Sequence, residues 1–196
     1  MSHYYDASPT TPTDPFTFEV TCFDTRFTFH SDRGVFKKDG LDFASRLLIE
    51  HVSVEPASEC LDLGSGSGVI GLILTRQYNL HMTAVDINAR AVALTEKNAQ
   101  QLHVPVTAVQ SDGFNEIQEQ FFDHIFTNPP IRIGKQAMYA LLSDALAHLK
   151  ADGSLWVVMH KKHGVESFQR SFAKDADIKE VIRKKGFRLL RLKRSR

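Results

Sequence analysis

Apolar and polar residues alternate along residues 16–22 and again along 26–30, with Phe23-Asp24-Thr25 between the runs, and this period of two predicts a β-hairpin. The period then lengthens. Leu41, Phe43, Ala44, Leu47, Leu48 and Val52 recur at the spacing of a helix that lays one face on a core. From residue 60 onward, short apolar runs alternate with helical patterns. Strands are predicted over 60–63, 81–87, 104–109, 122–127 and 155–159, and helices over 69–78, 89–103, 136–149 and 165–172. Two more strands, 178–182 and 187–192, surround Lys184-Lys185-Gly186 and close the chain as a hairpin. Such alternation predicts an α/β fold: a mostly parallel sheet with helices on both faces, right-handed crossovers, and an antiparallel strand from the last hairpin. Residues 1–15 are polar and proline-rich and read as an irregular arm; residues 16–196 read as one domain.

The stretch 60–71, CLDLGSGSGVIG, is a strand running through a glycine-rich turn into a helix. Glycine lets backbone take positive φ and approach a ligand closely, and the helix behind it points free N–H groups at whatever sits on the turn. Two cofactors suit such a turn. GSGVIG matches the dinucleotide pattern, with Asp86 about 20 residues on for a ribose hydroxyl. Asp62, two residues before the first glycine, would repel a pyrophosphate but would favour S-adenosylmethionine (SAM), which carries a sulfonium and an ammonium and no phosphate.

Further candidate chemistry stands at the ends of the following strands, where open α/β sheets bind ligands. Asp86 can accept from both ribose hydroxyls, or simply favour the helix behind it; Ile87 beside it can cover an adenine face. Asp112 can accept from an adenine amino group, or serve as a loop acid. Asn128-Pro129-Pro130-Ile131 lacks two backbone donors, so it presents mainly acceptors, the Asn128 side-chain oxygen and the Pro129 carbonyl. Two acceptors can hold both hydrogens of a planar NH2 group and aim its nitrogen at a methyl donor. Asn128→Asp, which keeps an acceptor, is then expected to be milder than Asn128→Ala.

Bulk properties narrow the setting. The 196 residues carry a formal net charge of +1, so no global field announces a polyanion partner. Basic residues nonetheless crowd the last segment (Arg183, Lys184, Lys185, Arg188, Arg191, Lys193, Arg194, Arg196), and Arg132, Lys135, Lys161 and Lys162 fall on loops expected near the cofactor edge. Such groups suit phosphate contacts, or a solvated hairpin. Two cysteines imply no disulfide framework and fit a reducing cytoplasm. No apolar run approaches the roughly 18 residues of a membrane span. His160 and His163 have no cysteine or acid cluster beside them, so no metal is expected.

LDLGSGSG, VDIN, SDGF and TNPPI, in this order and spacing, resemble the amino-methylating class I SAM-dependent methyltransferases. GVFKKDGLDFASRLLIE, NPPIRIGKQAMY and LWVVMHKKHG are similar to the catalytic domain of small-subunit rRNA guanine-N2 methyltransferases and their single-domain relatives, over nearly the whole chain. The resemblance implies a Rossmann-like class I methyltransferase fold with a seven-stranded sheet. It implies SAM as cofactor, ribosomal RNA or a ribosomal subunit as partner, and a cytoplasmic place of work. It implies that Phe36, Lys38, Asp39, Gly40 and the residues on to Asp42 close over the methionine end of SAM. Asp62, Gly64, Ser65 and Gly66 would hold that end, Asp86 and Ile87 the nucleoside, and Asp112 and Gly113 the adenine edge. Asn128, Pro129 and Pro130 would hold the target amine, with Ile131, Arg132, Lys135 and Lys161 toward the substrate. Ile131 departs from the aromatic residue that many amine methyltransferases place there to stack on the base. The second, RNA-engaging domain of the larger rRNA enzymes has no counterpart in these residues. Adenine N6 and protein glutamine remain alternative acceptors, as does a SAM-binding RNA-associated role without turnover.

Overall fold

The computed structural model describes residues 12–35 and 40–195, apart from the side chain of Ile131. The chain begins with β1 (Pro15–Cys22) and β2 (Thr25–Asp32), an antiparallel hairpin with a two-residue turn. Phe23 and Asp24 in that turn both have positive φ, the type I′ geometry that matches strand twist. After α1 (Phe43–His51) the chain alternates through β3 (Glu59–Leu63), α2 (Val69–Tyr78), β4 (His81–Asp86), α3 (Ala89–Leu102), β5 (Thr107–Gln110) and β6 (Phe122–Thr127). It continues through α4 (Lys135–Ala147), β7 (Leu149–His160), α5 (Val165–Phe172), β8 (Ala176–Lys184) and β9 (Phe187–Arg194). The main sheet has seven strands in the order β5-β4-β3-β6-β7-β9-β8. Six run in one direction, and β9 runs antiparallel between β7 and β8.

Strand residues alternate between two cores, as a sheet covered on both faces requires. Cys60, Phe126, Val158 and Leu189 face α1, α2 and the N-terminal hairpin; Leu61, Ile125, Val157 and Leu190 face α4 and α5. The order reverses between β3 and β6, so the carboxyl ends of these two strands open a crevice. Thr127 spans it by donating its hydroxyl to the Leu63 carbonyl at 2.8 Å.

Three sequence boundaries move. The helix expected over 136–149 ends at Ala147, and the strand expected over 155–159 begins at Leu149, because an irregular extension pairs Leu149 with Phe122. Gly153 lies so close to β6 that a Cβ there would stand 2.9 Å from the Phe122 carbonyl. The strand expected from residue 104 starts at Thr107. His103 ends α3 in the left-handed conformation and the Val104 N–H bonds back to Ala99, while Pro105 has no N–H for a ladder.

Candidate active site

The glycine turn is held from below. Gly64 and Ser65 both donate N–H to the Val85 carbonyl, at 2.9 and 3.0 Å. The Ser65 hydroxyl lies 3.5 Å from that of Thr95, so its side chain faces α3. Gly64 and Gly66 have φ of +77° and +57°, and a Cβ on either would meet nothing within 4 Å. They form a bare ledge. Asp86 ends β4 beneath it. Its Oδ2 accepts from Gly66 N–H at 2.9 Å and its Oδ1 from Asn88 N–H at 2.9 Å. A carboxylate has about four lone-pair sites, so two hydrogen bonds leave room for two hydroxyl donors. Burial raises the Asp86 carboxyl above its ordinary value, and a ligand that donates hydrogen bonds favours its ionised form.

Asp62 is buried in the strand end behind the turn, 1% exposed. Oδ2 accepts from the Gly71 N–H at 2.9 Å, and α2 carries glycine there because a Cβ would stand 3.0 Å from that oxygen. Oδ1 has no partner among the described residues. Burial pushes this carboxyl up to about 7, with the charge of Asp86 adding to the shift. A buried carboxylate with an orphaned oxygen beside a bare ledge fits a cationic ligand and penalises an anionic one. A pH effect follows. Between the ordinary carboxylate pKa, near 4, and about 7, the folded state keeps a proton that the unfolded state has released, so stability falls as pH rises through that window. Without cofactor, the melting temperature should fall from pH 5 to pH 8, and Asp62→Asn should flatten the fall. A wild-type profile already flat would overturn the assignment of this titration.

At the end of β6, the Asn128 amide is fixed by α1. Its Nδ2 donates to Asp42 Oδ1 at 3.3 Å and meets Ser45 Oγ at 3.1 Å. Asp42 caps α1, the same Oδ1 accepting from Ala44 and Ser45 N–H at 2.9 and 3.1 Å. Among the described residues no donor meets Asn128 Oδ1. Pro129 is buried and Pro130 half-buried, and a 3₁₀ turn, Ile131–Ile133, leads into α4.

The other expected site residues surround this centre unevenly. Ile87 is half-buried beside Asp86, and its carbonyl accepts from the Gln110 side chain at 3.0 Å. Asp112 is exposed on the rim, while Ser111 beneath it is buried. Gly113 has φ +56° and packs near Leu141. Gly40 has φ +135° and is half-buried. Phe36, Lys38 and Asp39 lie outside the described residues. Arg132 and Lys161 are exposed. Lys135 is the first residue of α4 and bonds Ser167 on α5 at 2.8 Å, with its ammonium 5.2 Å from the Tyr139 ring. It thus links two helices.

The basic hairpin divides. β9 starts beside the carboxyl end of β7, His160 opposite Phe187, so the turn of Lys184, Lys185 and Gly186 sits at the ligand edge. Lys161 N–H bonds the Gly186 carbonyl at 2.8 Å, and Lys185 Nζ lies 5.1 Å from the Phe43 ring. Arg183 is spent on Glu180, at 3.0 and 3.2 Å, and Arg188 pairs with Glu166 and Glu180. Arg191 and Lys193 run to the opposite edge, where they line a groove with Trp156 and His124.

Several supporting residues escape sequence reasoning. Asn98, fully buried in α3, donates to the Ser67 carbonyl at 2.8 Å and to the His30 carbonyl at 2.9 Å while accepting the His30 N–H at 2.8 Å. It ties the glycine turn to the N-terminal hairpin. Thr95 donates to the Gly66 carbonyl at 3.2 Å, and Arg90 pairs with buried Asp32 at 3.1 Å. A signal was available: Thr95 and Asn98 are polar residues on the face of α3 that carries Ala91 and Ala99, where the amphipathic pattern calls for apolar side chains. Asp42 and Ser45 show only the spacing of a helix cap. No group of three or more metal-ligating side chains occurs among the described residues, and no helix there is long and apolar enough to cross a membrane.

Residues 26–191 match the sequence profile of the methyltransferase small domain family. An uncharacterized protein of Bacillus subtilis, YbxB, is 40% identical over 200 residues, covering 98% of both chains. Ribosomal RNA small subunit methyltransferase C of Vibrio cholerae is 34% identical over 139 residues, 67% of this chain but 39% of that protein, so the match spans well under half of the larger relative. In fold, the chain resembles the 16S rRNA N2 methyltransferase RsmC of Thermus thermophilus, solved with AdoMet and guanosine. The TM-score is 0.80 at 24% identity, over 95% of this chain and 52% of that one. A ribosomal protein L11 methylase of Lactobacillus delbrueckii shares the fold at a TM-score of 0.66 and 20% identity, over 78% of this chain and 77% of that one. The seven-stranded sheet, the bare ledge over Asp86 and the buried acid behind it agree with the profile match: the chain belongs to the methyltransferase small domain family, with S-adenosylmethionine as its cofactor.

Proposed function

We propose that this methyltransferase moves the SAM methyl to an exocyclic amine of RNA, guanine N2 in ribosomal RNA. The observation that carries the reading is the orientation of Asn128: its Nδ2 is held by α1, which leaves Oδ1 as an acceptor at the crevice between β3 and β6. Bound SAM supplies a methyl group on a sulfonium, an electrophile that needs no further activation. The residues of the chain position it. Gly64 and Gly66 carry its methionine end, with Asp62 Oδ1 for the ammonium, while Asp86 accepts from the ribose hydroxyls and Ile87, Asp112 and Gly113 border the adenine. Gly40 borders the methionine end; Phe36, Lys38 and Asp39 belong to the same proposal from sequence alone. Asn128 Oδ1 and the Pro129 carbonyl each accept one hydrogen of the target amine, which aims the nitrogen lone pair at the methyl. The contribution is orientation and electrostatics, and no covalent enzyme intermediate is needed. A base within a helix has to be flipped out first.

RNA is favoured over protein glutamine by relatives named as ribosomal RNA methyltransferases, at 34% identity, and guanine over adenine by the fold likeness to an enzyme named as an N2 methyltransferase. With labelled SAM and a mixture of small ribosomal subunits, deproteinised RNA and ribosomal protein, label should enter the RNA. Label confined to protein would overturn the RNA assignment.

The RNA contact belongs to the ligand-edge half of the last hairpin, together with Arg132, Lys161 and Lys162. No acid among the described residues pairs with Lys161, Lys162, Lys184 or Arg132. Replacing Lys184 and Lys185 by alanine should weaken RNA binding and make the log–log salt dependence shallower by roughly 1 to 2 units. Replacing Arg191 and Lys193 should leave that slope unchanged. The reverse pattern in a filter-binding salt titration would move the contact to the opposite edge.

A further inference from the structure

We infer that Asp42 and Ser45 are positioning residues for methyl transfer: they lock the Asn128 amide with its oxygen toward the acceptor amine. The inference rests on the proposed amine chemistry and adds what fixes its geometry. A primary amide can be rotated to exchange its oxygen and nitrogen, and the surrounding hydrogen bonds decide which is presented. Here the decision is made by charge. Asp42 accepts only, so it admits the Nδ2 side of Asn128 at 3.3 Å and rejects the Oδ1 side. Ser45 Oγ stands 3.1 Å from the same nitrogen. Both groups belong to the first turn of α1, which is anchored by a buried face of Ala44, Leu47, Leu48 and Ile49. The helix start thus acts as a rigid reference for the amide, 86 residues away in sequence.

The lock makes the crevice selective. Asn128 Oδ1 and two proline residues offer acceptors and no donor, so a nucleophile presenting two N–H bonds is held while a carbonyl or an anionic oxygen is not. The geometry also reverses the expectation from sequence that Asn128→Asp is a mild change. The carboxylate introduced by that substitution would face the Asp42 carboxylate at the same short distance, and like charges so close repel strongly.

Helix capping and amide locking can be separated. Serine caps a helix about as well as aspartate, but its hydroxyl is shorter and can donate, so Asp42→Ser keeps the cap and removes the lock. Ser45→Ala removes the second acceptor without touching the cap. Asp42→Ser with Ser45→Ala should melt within a few degrees of wild type, yet at saturating SAM lose at least about tenfold in single-turnover methyl transfer to ribosomal RNA. Asn128→Asp should be nearly inactive, and adding Asp42→Ser should raise its rate, so that one substitution harms the wild type and helps the variant. A purely structural Asp42 would not give that change of sign. Nitrogen-15 spectra of the Asn128 side-chain amide, assigned by its loss in Asn128→Ala, test the lock without any substrate. The wild-type NH2 protons should be protected from solvent exchange, and Asp42→Ser with Ser45→Ala should remove the protection. If the spectra change but wild type methylates no RNA, the substrate assignment fails and the lock stands. If protection and rates are the same in both proteins, the inference is wrong.

Discussion

Asn128→Ala should cut single-turnover methyl transfer by about a hundredfold or more and leave SAM affinity within a few-fold of wild type. The side chain touches the cofactor ledge only indirectly: its two hydrogen bonds run to Asp42 and Ser45, while the ledge is held by Val85, Asp86 and Thr95. Truncation removes one of two acceptors for the incoming amine, so the nitrogen loses its aim rather than its place in the crevice. The expected signature is a loss in rate with little change in RNA affinity, because the proposed phosphate contacts lie on separate lysines. The fold should survive, since Asn128 is half-buried and supports no element by itself. The loss of its donor leaves Asp42 still accepting from two helix N–H groups, so α1 keeps its cap. Rapid-quench measurement with labelled SAM at saturating protein checks this. Equal rates for wild type and variant would make the turn structural.

Asp86→Ala should weaken SAM binding by about 1.5–3 kcal/mol, a rise of roughly tenfold to a hundredfold in Kd from the wild-type value, expected in the micromolar range. Two costs combine. The ribose hydroxyls would lose their proposed acceptor, and the Gly66 and Asn88 N–H groups lose the carboxylate that fixes the ledge. Titration calorimetry measures the sum, and thermal melting of both proteins without cofactor isolates the second part. NAD, with its pyrophosphate, should not compete, because a phosphate on the ledge would be repelled by the buried Asp62 carboxylate behind it. Tight NAD binding without SAM binding would overturn the cofactor assignment.

Much of this architecture is legible in the sequence, for identifiable reasons. Residues of β3, β4, β6 and β7 are apolar on both faces, and the helices between them carry the longer period, so alternation alone leads to the parallel sheet. Asp62, Asp86 and Asn128 stand at strand ends, and strand ends form the crevice. What stays hidden is every relation between distant segments. Asn98 stands out as a polar residue on the apolar face of α3, but the pattern does not say that it bridges Ser67 to His30. Asp42 reads as a cap, and nothing local says that its carboxylate also faces Asn128. The basic residues of the last hairpin form one cluster in sequence, but a strand's side chains spread along its length and a hairpin's turn and tail point to opposite edges of the sheet. Sequence therefore counts them together and the structure separates them. The helix predicted to residue 149 ends at Ala147 because Leu149 already pairs with Phe122 in the irregular start of β7, a relation between distant segments.

We propose methylation of a guanine amine in ribosomal RNA by residues grouped around Asn128. Its most direct test is nucleoside mass analysis of ribosomal RNA from cells lacking this protein, after incubation with the purified protein and SAM. N2-methylguanosine is expected with wild type, and its near absence with Asn128→Ala. N6-methyladenosine as the product, or no methylated nucleoside at all, would contradict it.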